Sequence, residues 1–372
     1  MLSLMSVASV LLSVALQTGT PALGDAYFYF IQGRTLEGKG DVAGALAAFK
    51  RAAELEPKSS TIHAEMAGVY ARSGKAGDAI NEAETALTLD KTDREAHRIL
   101  GLVQSAVAEG LPPGDRQTQY MTEAIGHLEQ ALAGMRDPGA ELTLGRLDLR
   151  SNRLDKAISV LRNFLLDNPG YPEGVMLLAE AYDRSGNYAG AIEVLEPVYA
   201  ELRSAPAGKG DAEFQNFAGM SLANAYQAKG QFDRSEQVLR ELIDLNPRND
   251  VALNALGYML ADRGQKLDEA VTLIQRALAV DPSSPSYLDS LGWAYLKQGK
   301  TLEAIDPLER ATRLAESSSL LQDHLASAYF AVKRYKDAAD TWTRALAGDR
   351  DGIDVAAVTK KRDQARALIK TP

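Results

Sequence analysis

The chain has 372 residues, 45% of them apolar and 24% charged, a net charge of -9, and no cysteine. One compact core stops growing at roughly 250 to 300 residues, so this length implies several domains or one long array. The missing thiols exclude disulfides, cysteine nucleophiles and cysteine-based zinc sites, and the acidic balance excludes a phosphate-backbone partner, so no nucleic acid is expected.

Residues 1–24 come first. Leu2 to Leu16 is an apolar and small-residue run without charge, followed by a small-residue cleavage pattern at Ala22-Leu23-Gly24. It reads as an export signal, although no Lys or Arg precedes the apolar run. A periplasmic or secreted location follows, or a cytoplasmic one if the segment is not a signal. The run is too short to span a bilayer, so no integral membrane span is expected in the mature chain.

From 25 to 350 the chain repeats itself. The stretches "LLAEAYDRSGNYAGAIEVLEPVYAE" (177–201), "SLANAYQAKGQFDRSEQVLRELIDLNP" (221–247) and "YLDSLGWAYLKQGKTLEA" (287–304) share one frame. A small residue follows leucine, tyrosine comes three residues later, glycine four beyond that, and alanine or serine five further on. Laid along the chain, the frame gives nine units starting near 26, 60, 94, 138, 172, 216, 250, 285 and 319. The eighth position is small throughout and includes Gly33, Gly101, Gly145, Gly257 and Gly292. The twentieth is small as well and includes Ala45, Ala157, Ala304 and Ala338.

This frame resembles the tetratricopeptide repeat (TPR) family, whose 34-residue unit reads W-x2-L-G-x2-Y, then A-x3-F, then P. The resemblance implies an all-α fold, an α-α superhelix or solenoid of about nine helix-turn-helix repeats plus a C-terminal capping helix at 351–372. The physical reason is close packing: a glycine at position eight gives up helix propensity, about 1 kcal/mol against alanine, so that it can face the alanine at position twenty. No unit buries its apolar face alone, so stacked neighbours share one elongated core. Two Gly/Pro-rich polar stretches, 110–119 and 204–214, interrupt the frame and read as loops.

Catalytic patterns are missing. The four histidines, His63, His97, His127 and His324, show no i, i+4 spacing, and no phosphate loop, nucleophile elbow or dinucleotide fingerprint occurs. No catalytic residue, metal or cofactor is expected. What remains is surface. The family resemblance implies that the first helices line a concave groove, which would present Asn224, Asn254, Tyr258, Asp289, Trp293, Asp323 and Ser327 to a protein or peptide partner. The carboxylate clamp of chaperone-binding relatives is not reproduced: the corresponding positions hold Phe30 and Arg34, Ala64 and Gly68, and Arg98 and Leu102.

The expected function is therefore a non-enzymatic scaffold. Its closest feel within the family is that of bacterial envelope, secretion and assembly members. An alternative is a carbohydrate-binding adaptor in exopolysaccharide or peptidoglycan assembly, with Trp293, Tyr258 and Tyr287 stacking on sugar rings.

Overall fold

The computed structural model describes residues 21–204 and 211–369, and among these there are nineteen helices and no strand. Each repeat contributes two. Repeats one and two are α1 (Pro21–Gly38) with α2 (Val42–Leu55), and α3 (Ser60–Arg72) with α4 (Ala76–Leu89). Repeats three and four are α5 (Arg94–Glu109) with α6 (Asp115–Ala131), and α7 (Pro138–Arg150) with α8 (Leu154–Asp167). Repeat five is α9 (Pro172–Arg184) with α10 (Tyr188–Ser204), and repeat six is α11 (Ala212–Ala228) with α12 (Phe232–Leu245). Repeats seven to nine pair α13 (Asp250–Asp262) with α14 (Leu267–Val280), α15 (Pro285–Lys297) with α16 (Thr301–Leu314), and α17 (Ser319–Ala331) with α18 (Tyr335–Ala347). The last helix, α19 (Val355–Ile369), is the cap: it buries only Val358 and Ala365 and exposes Lys360, Asp363, Gln364 and Arg366 together with Val355, Leu368 and Ile369.

The chain divides into two compact units, 1–190 and 191–372, with the division inside α10. In unit one a continuous core runs through Phe30, Phe49, Ile62, Met66, Ile99 and Leu100, and a second forms around Ile125, Leu128, Leu144 and Leu147. In unit two, Leu308, Leu325, Tyr329 and Trp342 pack with Val358 and Ala365 of the cap.

Local sequence explains the helix ends. Asp93, Asp137, Asn249 and Ser284 each accept a hydrogen bond from a backbone N–H in the first turn that follows, as N-caps do. The turn between the two helices of a repeat needs a residue at positive φ, which Gly264 (64°) and Gly299 (76°) supply. Repeats four and nine do the same with Asn152 (56°) and Lys333 (62°), which the glycine pattern alone does not reveal. The additional residue of repeat seven, Lys266, also takes a left-handed conformation (44°).

The small-residue frame holds with one refinement. Ala45, Ala157, Ala304 and Ala338 are fully buried. The space beside each glycine at position eight, however, is filled mainly by the large side chain at position twenty-four. A Cβ on Gly33 would meet Phe49 Cε1 at 2.7 Å, one on Gly101 would meet Leu128 Cδ2 at 2.7 Å, and one on Gly292 would meet Leu308 Cδ2 at 2.7 Å. On Gly145 it would strike Leu161, and on Gly257 it would meet Ile274 Cγ1 at 2.6 Å and the carbonyl of Ala270 at 2.9 Å.

Both expected loops are shorter than the sequence suggested. Helix α6 already begins at Asp115, and Gln117 Nε2 donates to the carbonyls of Ala108 (3.0 Å) and Leu111 (3.1 Å), so only 110–114 connects the helices. At the second, Asp211 caps α11 by accepting from the backbone N–H of Glu213 and Phe214, which makes 212–214 helical; residues 205–210 lie outside the described residues. The expected signal segment also lies outside them up to residue 20, and α1 starts at Pro21, ahead of the frame's start near 26.

Candidate functional site

A cavity of about 550 Å³ lies in unit one and is built from the first helices of repeats one to three together with the end of α6. Its apolar lining is Phe30, Ile31, Ala64, Gly68, Ala131, Leu132 and Met135, and its polar lining includes Arg34, Arg72, Arg94 and Arg98. Small residues at positions five and nine of α3, Ala64 and Gly68, create the opening. A Cβ on Gly68 would meet the Arg72 guanidinium at 3.3 Å, so this arginine lies over the glycine.

The arginines differ in how far they are neutralised. Arg34 Nη1 donates to Glu65 Oε1 at 2.6 Å, Arg72 pairs with Glu37, and Arg98 holds Glu95 through two hydrogen bonds of 2.8 and 2.6 Å. Arg94 makes no ion pair among the described residues. Asp93 and Asp137 spend their carboxylates on the N-termini of α5 and α7. Burial, reinforced by Glu37 and Glu95, raises the pKa of Glu65 against the pull of Arg34. Burial also works against the charge on Arg34, but Glu65 outweighs it and lifts that pKa above its ordinary value.

The residues that sequence reasoning selected lie in unit two, and most are engaged with one another. Asp289 is buried, with His324 Nδ1 at 2.8 and 3.0 Å from its two oxygens. Trp293 stacks on His324 (centroids 4.9 Å apart, planes at 23°) and donates Nε1–H to Asp262 at 3.3 Å, while Lys297 Nζ lies 4.8 Å from the indole centroid. Asp323 accepts from Trp342 Nε1 at 2.6 Å and from Lys361 Nζ at 3.0 Å. Tyr287 donates to Asp250 at 3.0 Å, and burial followed by that carboxylate pushes its pKa up to about 12.

Asn224 and Tyr258 are exposed, and Asn254 and Ser327 are half-buried. Asn254 Oδ1 has no hydrogen-bond partner among the described residues. Tyr258 has a raised pKa, from burial first and then from Asp262 and Asp289. The structure therefore brings Asp289, Trp293 and their neighbours together as a framework and leaves Asn224, Asn254, Tyr258 and Ser327 to face outward or stand unpaired.

The histidines of unit one have hydrogen-bond partners. His63 Nδ1 lies 2.8 Å from Glu82, and His97 Nδ1 lies 2.9 Å from His127 Nδ1. Among the described residues no group of three or more His, Cys, Asp or Glu is placed to hold a metal ion. The unit-one cavity escaped sequence reasoning because Leu132 and Met135 sit past the end of α6, where the repeat frame gives no position to read. Its legible signal was the pair Ala64 and Gly68 between arginine-bearing neighbours.

Two sequence profiles described as tetratricopeptide repeat match this chain, one at 142–206 and 220–285, the other at 36–103, together more than half of its length. The chain belongs to the tetratricopeptide repeat family. Its all-α architecture of paired helices is that of a TPR scaffold. A third profile, described as anaphase-promoting complex, cyclosome, subunit 3, matches 263–345 within the same array.

Among similar proteins, a TPR repeat-containing protein of Pseudomonas aeruginosa is 31% identical over 48% of this chain and 28% of its own length. Cellulose synthase operon protein C of Pseudomonas fluorescens is 26% identical over 50% and 14%. Lipopolysaccharide assembly protein B of Escherichia coli is 25% identical over 46% and 43%. The TPR array here thus spans less than two thirds of these relatives. Among solved structures, a MamA protein matches 48% of this chain and 92% of its own at 22% identity and a TM-score of 0.41. No helix among the described residues is long and apolar enough to cross a membrane.

Proposed function

We propose that the chain is a non-enzymatic scaffold whose unit-one cavity receives a segment of a protein partner. The carrying observation is the cavity itself: about 550 Å³ opened by Ala64 and Gly68, apolar at Phe30, Leu132 and Met135, and rimmed by guanidinium groups. Apolar anchoring with a few placed charges suits an extended or helical peptide. Unit two by itself presents Asn224, Asn254, Tyr258 and Ser327 as a recognition surface, with Asp289, Trp293 and Asp323 shaping it from behind. With its ring already stacked on His324 and bordered by Lys297, Trp293 is a poor platform for a sugar, which favours protein over carbohydrate.

The setting we propose is envelope, secretion or assembly machinery, with residues 1–24 directing export to the periplasm. The names of the lipopolysaccharide assembly and cellulose synthase operon relatives support this setting. The test places a photo-crosslinking residue at Met135 and, separately, at the exposed Leu302 of the full chain in its native cells. A discrete adduct from Met135, absent from Leu302 and lost when Arg94→Glu is added, supports the reading. Equal labelling from both sites refutes it. Sequencing the mature N-terminus decides the export proposal.

A further inference from the structure

The cavity's far wall is held by an unusual contact. His97 on α5 and His127 on α6 meet with Nδ1 atoms 2.9 Å apart and ring centroids 5.1 Å apart, so the rings stand end to end. That is the geometry of an N–H···N hydrogen bond, not of two lone pairs converging on a metal. His97 Nε2 lies 3.1 Å from the carbonyl of Lys91. This assigns the Nε2 proton to His97, leaves its Nδ1 as acceptor, and makes His127 Nδ1–H the donor.

Such a bond tolerates one proton between the two nitrogens and not two. In repeat two the same pair of positions, four and twenty-three, holds His63 and Glu82, 2.8 Å apart. There the imidazole faces a carboxylate and not a second imidazole, so repeat two is an internal comparison with the same positions and an unlike partner. The clasp is also well placed to matter. His97 adjoins Arg98, and His127 lies one turn before Ala131, both of which line the cavity.

We propose that the His97–His127 contact is an acid-released clasp that loosens the α5–α6 pair and with it the cavity wall. The consequence for recognition rests on the cavity reading above; the clasp does not. Burial first, and then His97, hold the His127 pKa below its ordinary value, and Glu123, one turn earlier on α6, opposes them. Glu123 is itself held by Gln104 and Gln119. The sign follows: a depressed folded pKa means that the contribution is present above the unfolded value of about 6.5 and is lost as pH falls through the folded value.

The experiment is hydrogen exchange on the full chain at pH 7.5 and 5.5, corrected for intrinsic chemical rates and run without any partner. Protection of α5 and α6 amides is expected to fall at least tenfold more than that of α3 and α4. His127→Glu copies the repeat-two pair and should remove or reverse the response. His127→Gln, which cannot be protonated in this range, should keep its protection at both pH values. Equal losses in both repeats, or an acid response that survives in both variants, would overturn the proposal. Because no partner is present, the outcome is independent of whether one enters the cavity.

Discussion

The two units line their inner walls with different chemistry on the same backbone plan. In unit one, successive first helices are joined by arginine and glutamate: Arg34 with Glu65, Arg72 with Glu37, and Arg146 with both Glu109 and Glu173. In unit two the joints are short carboxylates against planar donors: Asp250 with Tyr287, Asp262 with Trp293, and Asp289 with His324. Long side chains meet at their tips and leave space beneath, which is where the cavity opens. A short aspartate against a ring, as Asp289 lies against His324, takes up that space. The difference teaches that a repeat frame fixes where inner-wall side chains start, and that their length decides whether the wall is open or filled.

The comparison breaks most sharply at His324. Its side chain and that of Asp289 are 13% and 9% exposed, so removing one partner strands a buried charge. His324→Ala should cost about 3 to 5 kcal/mol. Both tryptophans of the chain, Trp293 and Trp342, lie in unit two, so tryptophan fluorescence in urea reads unfolding around those side chains. The His324 pKa is raised: burial opposes the charge, but Asp289 outweighs it. The stability it contributes is therefore complete below about pH 6.5 and is lost as pH rises through the folded value. A fluorescence midpoint unchanged in the variant would show that the unit-two wall is no better fastened than that of unit one.

Asp148 in unit one tests the reverse case, a buried carboxylate without a good partner. It replaces the tyrosine found at position eleven of five other repeats and is 1% exposed. Arg153 Nε comes within 2.9 Å of Oδ1 but out of hydrogen-bond alignment, and is shared with Glu129, which also holds Lys156. Burial raises the Asp148 pKa to about 6. The folded state thus binds its proton more tightly than the unfolded chain, and the cost in stability grows as pH rises from about 4 and is complete above about 6. Asp148→Asn should gain about 2 to 3 kcal/mol at pH 7.5, and the gain should vanish below about pH 4. Urea unfolding followed by circular dichroism should show it. No gain would mean that Arg153 already compensates the charge.

How much of this was readable beforehand depends on the physics of each feature. The small residues at positions eight and twenty recur in every repeat, so the nine-repeat register could be read directly. That position twenty-four fills the glycine's space could not, because facing distance is a tertiary quantity. Asp289 and Trp293 were read as groove-facing, and their engagement with His324 and Asp262 in neighbouring repeats comes at separations no motif encodes. The cavity lay hidden for the same reason: Met135 and Arg34 are neighbours only after folding.

Glycine packing gives a smaller effect, and one shared by both units. Gly292→Leu would drive a side chain into Leu308, whose Cδ2 already stands 2.7 Å from where a Cβ would be. The expected cost is about 1 to 3 kcal/mol in unit two, and Gly101→Leu against Leu128 should cost a similar amount in unit one. Unequal costs would show that one unit relaxes around overpacking and the other does not.

The smallest effect belongs to Arg34. With side-chain exposures of 36% and 19%, the Arg34–Glu65 pair is only partly buried, and Arg34→Gln should cost about 1 kcal/mol at neutral pH. The residue left behind decides the pH dependence. Glu65 already has a raised pKa from burial, and without Arg34 that pKa rises further, so the cost should shrink as pH falls and Glu65 takes up a proton. Added salt should weaken the wild-type pair and leave the variant unmoved. A cost as large as that of His324→Ala, insensitive to both salt and pH, would mean that the open wall of unit one is fastened as tightly as the filled wall of unit two, and that side-chain length does not separate them.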